Sequence, residues 1–181
     1  MTLPAHYQRF ARTHLRFALV MVFVGLLTGV LFQESAKKVH PGPAVPVGAH
    51  LEYVLGLALV HGHTFLMGVL LPLALTWILH LGLALGHPPV AARTLKVATG
   101  LYLPAAAAAL ALMLLKGYHF VLGIRHGLDF PLLSQTFLGG GHGLRAAVYG
   151  TVHTALAAGL GLFAVAVWRS LGSARSDATT L

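Results

Sequence analysis

Histidine is the residue type in this chain best equipped for chemistry. The chain has twelve histidines in 181 residues and no cysteine. Disulfides, thiolate metal sites and thiol nucleophiles are therefore excluded, and imidazole remains as the strong soft-metal ligand. His61, His63 and His153 lie within long apolar stretches. If those stretches are helices opening near Leu51 and Leu144, all three sit about 14 to 18 Å from one membrane face, close to the midplane. An ionisable side chain at that depth costs free energy unless it is paired, so three at one level read as a functional cluster. His61 and His63 are separated by about 200° around a helix and cannot face the same partner. His61 shares its face with Ala58, Thr64, Phe65 and Gly68, whereas His63 shares its face with Gly56, Leu59, Val60, Met67 and Leu70. His153 lies with Ala146, Tyr149, Gly150, Ala157 and Leu160. Small residues beside His61 and His153 leave room for a close helix or a flat cofactor, which makes these two the favoured pair, with His63 as substitute.

Four further residues are candidates for support. His119, near the end of the third apolar stretch, falls on the same side of the membrane but shallower, and Arg145 can meet an anionic group there. Glu34, just past the first stretch, can accept a hydrogen bond from a ligand histidine, and Met67 can stand near a metal. His6 and His14 precede the first helix, while His40, His50, His87, His126 and His142 fall in or beside connections, so solvated histidine is the default for all of them. His80 lies where its ring can snorkel to the interface.

The elements that must position these residues follow from composition. Hydrophobic residues make up 57% of the chain, charged residues 9%, and mean hydropathy is +0.80. Too few charges remain to solvate a surface. Crossing a hydrocarbon core takes about 20 helical residues. The apolar blocks predict an all-α membrane bundle of four helices, up-down-up-down, over about 14–34, 51–85, 92–122 and 144–169. Residues 1–169 form one transmembrane domain and 170–181 a disordered polar tail. Pro41, Pro43 and Pro46 mark one connection as loop; Pro131 and the run Gly139-Gly140-Gly141 mark another. Pro72 predicts a bend near Gly68 and Pro104 a bend in the third helix. Gly25 with Gly29, and Gly150 with Ala157 and Gly161, are expected to let helices approach closely.

The first block resembles a secretory signal only in its preceding arginines; no small-residue cleavage pattern follows, so it stays as helix 1. A formal charge of +8 arises from lysines and arginines near helix ends and not from the dense run that a polyanion site needs, so nucleic acid is not an expected partner. Arg9, Arg12, Arg16, Arg93, Lys96, Arg169 and Arg175 fall on one side, and Lys37, Lys38, Lys116, Arg125 and Arg145 on the other. This bias puts both termini in the cytoplasm.

The segments Gly25-Leu-Leu-Thr-Gly29 with Gln33-Glu34, His61-Gly62-His63 with Gly68, and Gly150-Thr-Val-His153 recur, in this order, in an uncharacterised family of small bacterial four-helix membrane proteins. The chain resembles that family over about residues 17–168, with Gly62 in place of its usual Thr and Lys116-Gly117 similar to an Arg-Gly pair. The second-helix pattern is also distantly similar to a histidine-bearing helix of the haem-copper oxidase catalytic subunit. The resemblance implies the fold, a bacterial inner-membrane location and the relevance of Glu34, His61, His63 and His153. It implies no activity.

Three functions compete. The first is a b-type cytochrome-like protein with haem b held by two histidines inside the bundle, serving electron transfer or gas or redox sensing. The second is a haem-free metal site, copper above all, built from His61, His63 and His153. The third is an accessory or assembly subunit whose histidines bond neighbouring helices. Expected partners are the bilayer, other membrane redox subunits and a second copy of the chain. No nucleophile with a base in hydrolase spacing and no phosphate-binding glycine loop is found, so independent enzyme activity is not expected.

Overall fold

The computed structural model describes residues 3–36, 42, 45 and 47–173. Among them, helices α1 (Ala5–Ala36), α2 (Val47–His63), α3 (Leu71–Ala84), α4 (Ala92–Arg125), α5 (Phe130–Thr136) and α6 (His142–Gly172) are joined by a π-helical turn over Thr64–Leu70 and a 3-10 turn over Phe137–Gly140. Four stretches are long and apolar enough to cross a membrane: Ala5–Ser35, Val54–Ala84, Ala92–Arg125 and His142–Gly172. The chain is thus an all-α, multi-pass membrane protein. Lys37, Lys38, His40, Pro41, Pro43, Pro46 and residues 174–181 lie outside the described residues. The helix at residues 170–172 replaces the beginning of the expected tail.

α1 begins at Ala5, well before residue 14 where it was expected. Tyr7, Phe10, His14, Ala18 and Met21 recur at helical spacing and are buried, whereas Arg9, Arg12 and Arg16 occupy the exposed face. The charged residues that suggested an interface therefore sit on the outside of an ordinary amphipathic turn.

The second span is held together across a break in its own ladder. Pro72 has no backbone N–H, and the bend expected near Gly68 takes the form of the π-helical turn. There the Leu71 N–H reaches back to the Leu66 carbonyl. The next donor in that pattern would come from Pro72 and serve Met67, so the Met67 carbonyl lacks a helical partner. The Tyr102 hydroxyl of α4 donates to it instead. Gly68 lies against Met21 of α1, where an added Cβ would stand 2.7 Å from the Met21 Cβ. α4 runs through Pro104 as one helix.

The short turn between α3 and α4 defines one end of the bundle. His6 donates through Nε2 to the Val90 carbonyl at 3.0 Å, the Tyr7 hydroxyl accepts the Val90 N–H at 2.8 Å, and Ser170 donates to the Pro88 carbonyl. At this turn end, Leu75, Leu79 and Leu83 of α3 share a core with Phe163 of α6. At the opposite, cap end, α5 and the 3-10 turn lie across the bundle, with Leu133 buried over Gly123. Leu138 (φ 54°) and Gly139 (φ 73°) reverse the chain there in the left-handed region.

The close approach of α6 does not use its expected stripe. Gly150 and Gly161 have no neighbour within 4 Å of an added Cβ, and Ala157 is exposed. Gly159 makes the contact: a Cβ there would lie 2.9 Å from the Tyr102 nitrogen and 3.1 Å from the Ala98 oxygen. Backbone cannot yield as a side chain can. Gly159→Ala should therefore destabilise the protein by about 1–3 kcal/mol, read as a lower unfolding temperature in detergent, while Gly161→Ala leaves it unchanged.

Candidate functional site

Hydrocarbon supplies no hydrogen-bond partner, and His61, His63 and His153 each turn to a backbone carbonyl. Because a carbonyl can only accept, the imidazole nitrogen facing it carries the proton. His63 donates from Nδ1 to Leu59 O at 2.8 Å, and His153 from Nδ1 to Tyr149 O at 2.8 Å. Both bonds run one turn back along their own helix. In both residues Nε2 is left as the nitrogen with a lone pair, the state in which histidine ligates a metal.

His61 behaves differently. Its Nδ1 donates to the Gly25 carbonyl of α1 at 2.7 Å, and its ring lies where a Cβ on Gly29 would be 2.8 Å away. Phe65 fills the neighbouring notch at Gly25 and meets the His61 ring edge-on, with centroids 5.1 Å apart. The small residues of α1 thus make room for a histidine and a phenylalanine of the second span. His61 and His153 are consequently not brought together: the first is engaged with α1, the second with its own α6. Among the described residues, no group of three or more His, Cys, Asp or Glu side chains is placed to hold a metal ion.

A cleft of about 260 Å³ opens between the second span, α4 and α6 toward the cap end. Gly56 and Leu59 form one wall, Tyr149 the other, and Met113, Lys116, Gly117 and Phe120 the floor. Its origin is in the helix packing. α3 and α6 share a core at the turn end, whereas toward the cap end α4 lies between α2 and α6; Leu57 packs onto Gly117, and Gly56 leaves volume unfilled. His63 follows Leu59 by one helical turn and His153 follows Tyr149 by one, so each histidine stands one turn beyond a residue that lines the cleft. Neither is enclosed: His63 is half-buried and His153 exposed. The Tyr149 hydroxyl is buried and has no hydrogen-bond partner among the described residues. The Lys116 ammonium lies 5.7 Å from the Phe120 ring centroid, at cation–π distance.

The remaining sequence candidates take other roles. His119 donates from Nε2 to Leu133 O at 3.0 Å, and Arg145 donates to Ser134 O; both therefore hold the cap. Phe120 stacks obliquely on Phe130, centroids 5.1 Å apart, which closes the cleft on the cap side. Glu34 is exposed in the last turn of α1. Met67 packs into the core at the turn end, away from the cleft.

Sequence reasoning missed His14, placed among solvated residues and now found fully buried in α1. Its Nδ1 donates to Phe10 O at 3.0 Å, its ring stacks on Phe10 at 3.8 Å, and its Nε2 has no partner. Leu75, Tyr102, Gly159 and Phe163 close around it and leave no room for water. The spacing of Tyr7, Phe10, His14, Ala18 and Met21 was the available signal.

If His119 and Arg145 anchor the cap, His119→Ala with Arg145→Ala should raise amide hydrogen exchange over residues 130–140 by at least about tenfold, with protection in α4 and α6 unaltered. Equal exchange in wild type and double variant would show the cap held by its apolar contacts alone. No family model matches the chain, and no curated protein and no solved structure matches it.

Proposed function

We propose that this chain is a haem-binding, b-type cytochrome-like protein of the bacterial inner membrane, with both termini cytoplasmic and a role in electron transfer or in gas or redox sensing. What supports the reading is the shared state of His63 and His153: on separate helices, each one turn beyond a residue that lines the cleft, each donates from Nδ1 to a carbonyl of its own helix and so keeps Nε2 for a ligand. His63 and His153 would be the residues to hold a haem iron, which supplies one-electron chemistry when bound. This chain's residues set the tautomer of both imidazoles and hold their orientation. The more numerous lysines and arginines near the turn end support the cytoplasmic assignment of that side.

The bond from His61 to Gly25 favours a second reading, an accessory subunit whose intramembrane histidines join helices. The two separate in one experiment. Protein expressed with ample haem and purified in detergent should show a Soret band, with sharpened bands on reduction. His63→Ala and His153→Ala should each remove most of that absorbance, and His61→Ala should retain it. A wild-type protein without a Soret band would leave the accessory reading standing.

A further inference from the structure

The outer part of the cleft has a chemistry of its own, independent of whether haem is bound. Taking each helix midpoint as the bilayer centre, Tyr149 in α6 stands about 12 Å from it and Lys116 in α4 about 11 Å. A hydrocarbon core of about 30 Å ends at about 15 Å from its centre, so both residues lie inside the apolar layer and short of the lipid phosphates. Burying a phenol hydroxyl without a partner at such a place costs free energy. Tyr149 nevertheless keeps its hydroxyl there, beside a cleft bounded by Gly56, Leu59 and Phe120.

We infer that the cleft binds the head group of a membrane quinone. The Tyr149 hydroxyl donates to one ring carbonyl, Lys116 on the floor supplies a second donor, and the glycine at position 56 gives the ring access between helices. Three observations select this class. The cleft's volume of about 260 Å³ accommodates one small ring. Its depth favours a neutral ligand bearing carbonyl acceptors over a phosphate, whose charge would have to leave the interface. The hydroxyl that lacks a partner can donate to what a quinone offers.

The test is equilibrium binding of a radiolabelled short-chain ubiquinone analogue to haem-free full-length protein in nanodiscs. Saturable one-to-one binding is expected, weakened about tenfold by Tyr149→Phe and similarly by Lys116→Met, and unchanged by Trp168→Phe. Tyr149→Phe should also raise the unfolding temperature of the ligand-free protein, because it removes a buried donor with no partner; a tyrosine serving only structure would lower it. His153→Ala, which tests the haem reading, should keep quinone binding. Absence of saturable binding, wild-type affinity in Tyr149→Phe, or displacement by phosphatidylglycerol at the same concentration as by unlabelled quinone would overturn the inference.

Discussion

Hydrocarbon offers polar atoms nothing to bond, and the arrangement of this bundle follows from how its helices meet that constraint. Thr28 donates to Gly25, Thr64 to Val60 and Thr76 to Pro72, each within its own helix. Where a helix cannot serve itself, a neighbour does: the Tyr102 hydroxyl occupies the place of the proton that Pro72 lacks. That bond does more than satisfy one carbonyl. It fastens α4 to the point where the second span changes pitch, and the same side of α4 receives Gly159 of α6. With His14 of α1 packed there as well, all four spans converge on Tyr102, and the cleft lies toward the cap from that convergence.

The histidines obey the same constraint with opposite consequences. A carbonyl fixes the proton on Nδ1 in His14, His61, His63 and His153 alike. What differs is the space in front of Nε2. For His14 it is sealed by Tyr102, Gly159 and Phe163, and no ligand can enter. For His61 the ring is set between glycines of α1. His63 and His153 differ from His61 in that their bonds stay within their own helices, so that neither ring is tied by its bond to a neighbouring helix.

Much of this architecture was legible in the sequence. Four apolar blocks marked the spans, and Pro72 marked the irregularity in the second span. The start of α1 was less accessible, because Arg9, Arg12 and Arg16 read as an interface until their common exposed face is seen. The partner of His61 was unreadable for a different reason. Helical spacing separates the faces of His61 and His63 but does not say which neighbour each meets; that depends on α1 presenting Gly25 and Gly29 to the second span. The α6 contact was misplaced on similar grounds, since glycines on two faces of one helix look alike until Tyr102 and Ala98 are found against Gly159.

A hydroxyl without a partner is the feature furthest from the sequence, and it bears most on function. Any tyrosine seven residues into a membrane helix could be expected to reach the interface or a carbonyl. Tyr149 does neither, although its own backbone carbonyl is bonded, to His153. Position 149 thus couples the cleft to His153: its backbone orients the histidine one turn beyond it, and its side chain stands unpaired at the outer end. A ligand accepting from that hydroxyl would lie beside the imidazole which the same residue holds in place.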